Sequence, residues 1–300
     1  MKNKLLIVGC GDIALRAADL LKKRYQLLGL CRKAENLDTL RRHGIQPIAG
    51  DLDQPESLEK LAGLAHTIVH LAPPPARGRR DTRTTHLLAA LSRRSNMPRA
   101  ILPHRLVYIS TSGVYGNCDG DWVDEKHAIN PYNERAWRRV DAERQIRNWG
   151  KRHGIAVSIL RVPGIYAIDR LPLTRLRQGT PALLADEDSY TNHIHADDLA
   201  RIIAATLRFG KPGRIYHASD DSHLKMADYF DLVADHFNLP RPPRLTRQQA
   251  QALITPGMWS FMQESRRLTN QRMKQELQVR LRYPTVTAFL ELAADHQPAK

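Results

Sequence analysis

A short aliphatic run, Leu5-Leu6-Ile7-Val8, breaks at Gly9-Cys10-Gly11 and passes straight into Asp12-Ile13-Ala14, with Ala14, Ala17, Ala18 and Leu21 at helical spacing. No other stretch restricts the fold as much. A continuous aliphatic run is what a strand buried on both faces requires. Glycine permits a turn too tight for a Cβ and lets the backbone approach a ligand closely. The helix that follows points its free N–H groups and positive dipole end into that turn, a ready place for an anion. A second apolar stretch ends at Cys31-Arg32-Lys33, where a second parallel strand would return. The pattern G-x-G-x-x-A in a strand–turn–helix context is a dinucleotide fingerprint. Gly9, Gly11 and Ala14 are therefore expected to cradle a pyrophosphate, with Asp12 and Ile13 beside them. A glycine turn serving geometry alone is the competing reading.

The end of the second strand refines the expectation. NAD sites usually place an Asp or Glu there for the ribose hydroxyls. This chain has Arg32 and Lys33 instead. A cationic pair suits the 2′-phosphate of NADP, which makes NADP the expected cofactor and NAD the alternative. A solvated basic loop is the bland reading of the same residues.

The first half of the chain alternates apolar strands, at 4–8, 26–31, 45–49, 66–72, 105–110 and 155–160, with helical stretches at 12–23, 35–43, 55–62, 82–95 and 134–152. Such alternation is the signature of an α/β, doubly wound parallel sheet. After residue 162 the rhythm changes to short helical segments, one strand at 214–218, a helix carrying Met226, Phe230, Val233 and Phe237 on one face, and the stiff connector Leu239-Pro240-Arg241-Pro242-Pro243. We therefore expect a dinucleotide-binding domain over 1–162. A smaller, mostly helical substrate lobe over 163–300 would exchange segments with it and close over the carboxyl ends of the strands.

Composition narrows the class. The 300 residues are 42% hydrophobic, as in an ordinary globular protein, and no apolar segment is long enough to span a bilayer. The apolar run after Met-Lys-Asn-Lys is broken at Gly9 and Asp12 with no cleavage-like site, so it does not read as a signal peptide. Three scattered cysteines, Cys10, Cys31 and Cys118, match no metal spacing and suggest a reducing compartment, hence a cytoplasmic protein. Cys10 and Cys31 fall on core elements as small hydrophobes. The net charge of +15 is dispersed, often beside acids, and no nucleic-acid motif accompanies it. A small-molecule substrate is expected, with no specific nucleic acid and no membrane as partner.

Leu71-Ala72 ends the fourth strand beside the glycine turn and runs into Pro73-Pro74-Pro75, a wall without N–H donors. Arg77, Arg79, Arg80 and Arg83 follow, as an anion clamp or, more simply, a solvated basic loop. The fifth strand delivers Ser110-Thr111-Ser112-Gly113-Val114-Tyr115-Gly116, three hydroxyls that suit hydrogen bonding to a carbonyl or hydroxyl.

Taken with the fingerprint, Ile109–Gly116, Leu160-Arg161-Val162-Pro163-Gly164-Ile165-Tyr166 and Asn192-His193-Ile194-His195-Ala196-Asp197-Asp198-Leu199-Ala200 resemble the extended short-chain dehydrogenase/reductase superfamily, its NAD(P)-dependent epimerase/dehydratase group, over nearly the whole chain. The resemblance implies a Rossmann-type fold and an adenine contact at Asp51-Leu52. It also implies a cofactor contact along Leu71, Ala72 and Pro73, and Thr111 as the catalytic hydroxyl. The gap between Gly9 and Gly11 is shorter than the group's usual turn, which places the chain with atypical members.

The resemblance further implies a Tyr, three residues, a Lys and then a Glu four further on, all on one helix face, where the lysine lowers the tyrosine's pKa. Counting back from Glu143 gives Arg139 and Arg135. Arg139 still suits ribose hydroxyls; an arginine at 135 cannot serve as the usual acid. Tyr132, just before that helix, and Tyr115 are the substitute acids. His193 and His195 precede two acids, a pattern suggestive of a metal, but the resemblance implies a structural turn whose Asp caps the next helix, and no metal is expected. Arg161 is expected to anchor structure. The implied function is hydride transfer at a hydroxyl or carbonyl of a small polar or nucleotide-linked substrate. A catalytically inactive NADP-binding sensor or scaffold is the alternative, and a homodimer paired through 134–152 is left open by that helix's charge.

Overall fold

A computed structural model describes residues 2–93, 101 and 103–294. Seven strands form one sheet: β1 (Asn3–Val8), β2 (Tyr25–Cys31), β3 (Ile45–Ala49), β4 (Thr67–His70), β5 (Arg105–Thr111), β6 (Ala156–Val162) and β7 (Ile215–His217). All neighbours are parallel, in the order β7-β6-β5-β4-β1-β2-β3. Strand order reverses between β1 and β4, and in open α/β sheets ligands bind at the carboxyl ends beside such a reversal.

The aliphatic runs are continuous because both faces are covered. Leu5 and Ile7 pack to one side with Ala14 and Ala18 of α1 (Asp12–Leu21) and Leu199 and Ile203 of a later helix at Ala196–Phe209. Leu6 and Val8 pack to the other with Leu87 and Leu88 of Thr82–Ser92 and with Ala142 and Ile146 of Glu134–His153. With Leu37–Arg42, whose Leu40 joins the core on the α1 side, the helices are in chain order α2 (Leu37–Arg42), α3 (Thr82–Ser92), α4 (Glu134–His153) and α5 (Ala196–Phe209). Each strand thus presents successive side chains to opposite layers, the period-two geometry of a pleated strand.

Two local expectations change. The stretch at 55–62 is a 3₁₀ turn, Pro55–Leu61, because the Ser57 hydroxyl bonds the carbonyls of Gln54 (2.7 Å) and Asp51 (3.1 Å) and so competes with a regular helix. The helix expected over 82–95 ends at Ser92, and 94–95 lie outside the described residues.

Beyond residue 162 the chain mixes helices with two- and three-residue strands, which pair with one another, as Gly164–Tyr166 does with His193–His195, or with the earlier part of the chain, as Arg267–Leu268 does with Trp122–Val123. A separate apolar cluster forms around Tyr166, Leu176, Val233 and Leu290, with α6 (Met226–His236) at its centre. α5, β7 and the helix Gln271–Leu277 all return to the sheet, where Met273 and Leu277 join the core on the α1 face.

Three histidines are locked neutral in this interior. Burial pushes His70 down to about 3, with Arg139 adding to the effect, and burial likewise takes His217 to about 3 and His193 to about 4. In the unfolded chain these rings take up protons below about pH 6.5. Between that value and the folded values the unfolded state binds more protons, so stability falls as pH falls. Asp220 acts in the opposite sense, since burial raises its carboxyl to about 7 and the folded state keeps a proton that the unfolded state sheds. Burial also raises Asp81, Glu125 and Asp188, which act with Asp220, and lowers His104 and His195, which act with the three rings. The imidazoles dominate at pH 5, because ordinary carboxyls titrate mainly below that pH. Urea denaturation at pH 5 should give a clearly lower unfolding free energy than at pH 7.5, by a few kcal/mol in order of magnitude; an equal or higher value at pH 5 contradicts neutral buried imidazoles.

Candidate functional site

The two glycines of the first turn do different things. Gly9 has φ +95°, and a Cβ there would lie 2.4 Å from the Ala72 nitrogen and 2.7 Å from its Cα. The approach is tight because the Leu71 and Ala72 N–H groups both donate to the Val8 carbonyl, at 2.7 and 2.9 Å. Gly11 has a negative φ, and a Cβ there would meet nothing within 4 Å. It is the N-cap of α1, with no side chain capping the helix, so the first N–H groups remain open. The protein's own packing requires glycine at 9 and not at 11. At 11, glycine keeps a surface open.

That surface is one wall of a groove of about 460 Å³ that also collects Cys10, Arg32, Lys33, Gly50, Asp51, Leu52, Ala72, Pro73 and Arg83. Most residues expected to hold a cofactor therefore meet in one place, though not all present side chains to it. The Asp12 carboxylate turns to Arg16 and Arg170, each at 2.9 Å, which offsets a charge that would repel a phosphate. Ala14 is fully buried in the core and Ile13 packs against it, leaving only backbone groups to a ligand. Lys33 pairs with Glu35 at 2.9 Å, whereas Arg32 is exposed and makes no ion pair among the described residues. Arg83 is no free anion clamp. It is paired with Asp53 (2.8 and 2.6 Å) and donates to the Pro73 and Pro74 carbonyls, bracing the groove's rim. Cys31 is buried as expected, but Cys10 is half-buried in the groove wall, its thiol pushed up to about 12 by burial and by Cys31.

A second cavity of about 160 Å³ opens at the carboxyl ends of β5 and β6. Thr111, Ser112 and Gly113 form one side, Asn133 and Arg135 of the α4 start another, and Tyr190, Thr191, Asn192, Met226, Phe261, Glu264 and Arg266 of the C-terminal part the rest. Thr111 Oγ1 accepts from the Gly113 N–H (3.2 Å), which fixes the hydroxyl at the strand end. Asn133 caps α4 through the Ala136 N–H (2.9 Å) and donates to Glu264 at 3.2 Å. Glu264 also accepts from Arg266 at 2.9 Å, and the same Arg266 nitrogen donates to the Gly116 carbonyl at 2.6 Å.

The three hydroxyls of the fifth strand separate. Ser110 is buried and donates to Glu143 at 2.6 Å, while Arg161 grips the same carboxylate with two bonds of 3.0 and 2.8 Å. Ser110 and Arg161 are structural, and only Thr111 and Ser112 face the cavity. Neither substitute acid lines it. Tyr132 is 71% exposed to solvent, and Tyr115 is fully buried with its hydroxyl 2.6 Å from His217 Nε2. Burial pushes the Tyr115 hydroxyl up to about 12. Arg139 turns onto β5, donating to the Tyr108 hydroxyl (3.0 Å) and the Ile109 carbonyl (2.9 Å). Arg135 lies in the cavity, its guanidinium carbon 3.8 Å from the Phe261 ring centre.

The turn at 193–198 is structural in a way the sequence did not specify. The His195 ring, not an Asp, caps α5 by accepting the Asp197 N–H at 3.2 Å. Asp198 instead accepts the Arg282 and Tyr283 N–H groups, both at 2.8 Å, and Asp197 pairs with Arg16 at 2.7 Å. Sequence reasoning missed Tyr190, Phe261, Glu264 and Arg266, which arrive from distant, aperiodic segments. Asn133 alone carried a readable sign, an Asn directly before a helical run.

Comparison with known proteins agrees with this geometry. The model of the NAD dependent epimerase/dehydratase family matches residues 14–219. A dTDP-glucose 4,6-dehydratase of Actinoplanes sp. is 27% identical over 122 residues, 38% of this chain and 38% of that enzyme. The matched stretches span only about two fifths of such curated relatives, 41% in the human dTDP-D-glucose 4,6-dehydratase. Among solved structures, a functionally unknown conserved protein from Silicibacter pomeroyi superposes with a TM-score of 0.78 at 26% identity, covering 98% of this chain and 99% of that one. The UDP-glucuronic acid 4-epimerase of Bacillus cereus, in complex with NAD, shares the fold at a TM-score of 0.73 and 20% identity, with 98% of each chain covered.

The contrast between the glycines is measurable. Gly9→Ala should cost roughly 2–4 kcal/mol, the left-handed penalty plus overpacking against Ala72. Gly11→Ala should change stability by less than about 1 kcal/mol, the scale of a helix N-cap substitution. Equal losses in chemical denaturation would refute the division of roles.

Proposed function

The chain belongs to the NAD dependent epimerase/dehydratase family, and from that premise we propose that it is an oxidoreductase that binds NADP in preference to NAD and acts on a hydroxyl or carbonyl of a small polar substrate. The observation that carries this reading is the open space in front of Gly11. A glycine that the fold does not need, at an uncapped helix start on a groove, fits a pyrophosphate that must come close to backbone. The residues present thus fit a dinucleotide. When bound, that cofactor supplies a hydride donor or acceptor at its nicotinamide ring.

In this reading Gly9 shapes the turn, and Gly11 with the first N–H groups of α1 holds the pyrophosphate. Arg32 meets the 2′-phosphate, with Lys33 beside it, and Asp51 meets the adenine. Arg139, with one nitrogen engaged on Tyr108 and Ile109, offers its remaining N–H groups to ribose hydroxyls. Thr111 accepts from Gly113, which leaves its own proton free to be donated to the reacting oxygen. Arg135 cannot release a proton near neutrality. Tyr190 is the phenol that lines the cavity, and we assign it the acid's role in place of Tyr132 and Tyr115. The three free cysteines fit a reducing, cytoplasmic setting, and a homodimer belongs to the same reading. A second reading, an NADP-binding sensor without turnover, is favoured by Arg135 standing where the family's tyrosine is expected.

Fluorescence titration with NADPH should show binding below millimolar concentration, and its absence sinks both readings. Arg32→Asp should weaken NADPH at least tenfold and move preference toward NADH; an unchanged ratio of dissociation constants refutes the assignment of Arg32.

Thr111→Ala and Tyr190→Phe should each lower NADP-dependent turnover by about 10²-fold or more, the range of a lost oxyanion donor or general acid, while leaving NADPH affinity intact. Turnover that survives both changes removes these residues from the site. A wild-type protein that binds NADPH yet turns over no hydroxyl or carbonyl substrate establishes the sensor reading.

A further inference from the structure

The cavity beside Thr111 has an uncompensated positive charge. Two guanidiniums, Arg135 and Arg266, line it against one carboxylate, Glu264. Glu264 is already occupied by Arg266 (2.9 Å) and Asn133 (3.2 Å). Arg266 is only 9% exposed, and its Nε is buried without a hydrogen-bond partner. The Arg135 guanidinium carbon lies 3.8 Å from the Phe261 ring centre, and its side chain makes no hydrogen bond or ion pair among the described residues, so its N–H donors are unused. A buried donor without a partner, as at Arg266 Nε, calls for an explanation.

Size adds a second limit. At about 160 Å³ the cavity matches the scale of an engineered 150 Å³ protein cavity that takes one benzene. A group of about six heavy atoms fills it.

We propose that this cavity selects a small acid, its carboxylate or phosphate held by Arg135 and Arg266 and its reactive oxygen facing Thr111. The inference rests on the cavity being the substrate site of the function proposed above. A planar fork matches a carboxylate or phosphate with paired hydrogen bonds, and the Phe261 face holds the guanidinium in position without consuming its donors. Burial holds the Arg135 guanidinium below the usual arginine range; Glu264 opposes this, while Arg138 and Arg266 add to it. A bound oxyanion relieves that crowding of cations. The substitution that removes the usual tyrosine is then also the one that supplies a receptor for substrate charge.

Calorimetry on the full chain, without cofactor, tests this with malonate, inorganic phosphate, the uncharged malonamide and UDP-glucose. Malonate or phosphate should bind, malonamide at least tenfold more weakly, and UDP-glucose more weakly than the acid. The pattern across malonate and phosphate identifies which oxyanion is preferred. Arg135→Gln should lose tenfold or more in acid affinity, and Phe261→Leu, at a half-exposed ring, several-fold. NADPH affinity should stay unchanged in Arg135→Gln, which also shows that the variant is folded. Equal binding of malonamide, tighter binding of UDP-glucose, or full acid affinity in Arg135→Gln would overturn the inference. Failure of both acids in a protein that binds NADPH overturns it while leaving the family function standing. Failure of NADPH with Arg135-dependent acid binding does the reverse.

Discussion

The site hangs on one buried carboxylate. Glu143, 4% exposed, accepts from Ser110 of β5 and, through both oxygens, from Arg161 of β6. Taking such charges out of water is costly, and their attraction only about balances that cost. Removing one partner is different, because it leaves the other charged and buried at a penalty of about 3–5 kcal/mol. The interaction is better understood as a positional constraint than as a source of stability. It pins α4 against two adjacent strands at one rotation and one height. Thr111 is the next residue after Ser110, so it too is placed by this contact. Arg139 and Arg135 stand one and two helical turns before Glu143, and residues four apart share a helix face. The cavity's polar wall is therefore indexed to Glu143.

Along that face, the same residue type has two fates. Arg139 meets the buried Tyr108–Ile109 stretch of β5 and binds a phenol and a carbonyl, which fixes its charge in the sheet layer. Arg135, a turn nearer the helix start, has passed the end of the sheet and meets only the Phe261 face. A guanidinium stays protonated at any physiological pH, so neither can move a proton. On the proposed function, this helix supplies fixed positive charge, and proton delivery falls to another element. Tyr190 is supplied by the C-terminal part, which also supplies Glu264 and Arg266.

Much of the fold was legible because both faces of the sheet are buried. Continuous runs such as Leu5–Val8 and Val107–Ile109 leave no other element type, and the helices between them force a parallel order. The groove was legible for the same reason, since a fingerprint is a local chain property and Gly9, Arg32, Asp51 and Ala72 all fall at strand ends. What escaped was side-chain direction. Asp12 looked like a cofactor neighbour, yet Arg16 lies one turn along and Arg170 is brought in from far along the chain, and both take its carboxylate. Tyr132 is close to α4 in sequence, but it precedes the Asn133 cap, where the chain is still on the surface. The cavity's far wall was illegible in principle, because Phe261, Glu264 and Arg266 reach Thr111 through tertiary packing that no periodicity encodes.

The basic surplus of the chain, which first suggested polyanions, has a partly internal explanation. Arg138 donates to the Gly78 carbonyl (2.6 Å), Arg105 to Gly210 (2.7 Å), Arg267 to Gly120 (2.7 Å) and Arg272 to Ile215 (3.0 Å). Each of these closes a turn or strand end whose carbonyl lacks a backbone donor, a task for which a long, flat, multidentate cation is well suited. Arginines used in this way are oriented inward and contribute little to a surface potential that would attract a nucleic acid. Against that background Arg135 stands out. It is half-buried like Arg105, Arg267 and Arg272 and, unlike them, its side chain has neither carbonyl nor carboxylate bonded to it, only an aromatic face. A fold that assigns so many guanidiniums to carbonyls leaves this one, beside Thr111, free to bind a ligand.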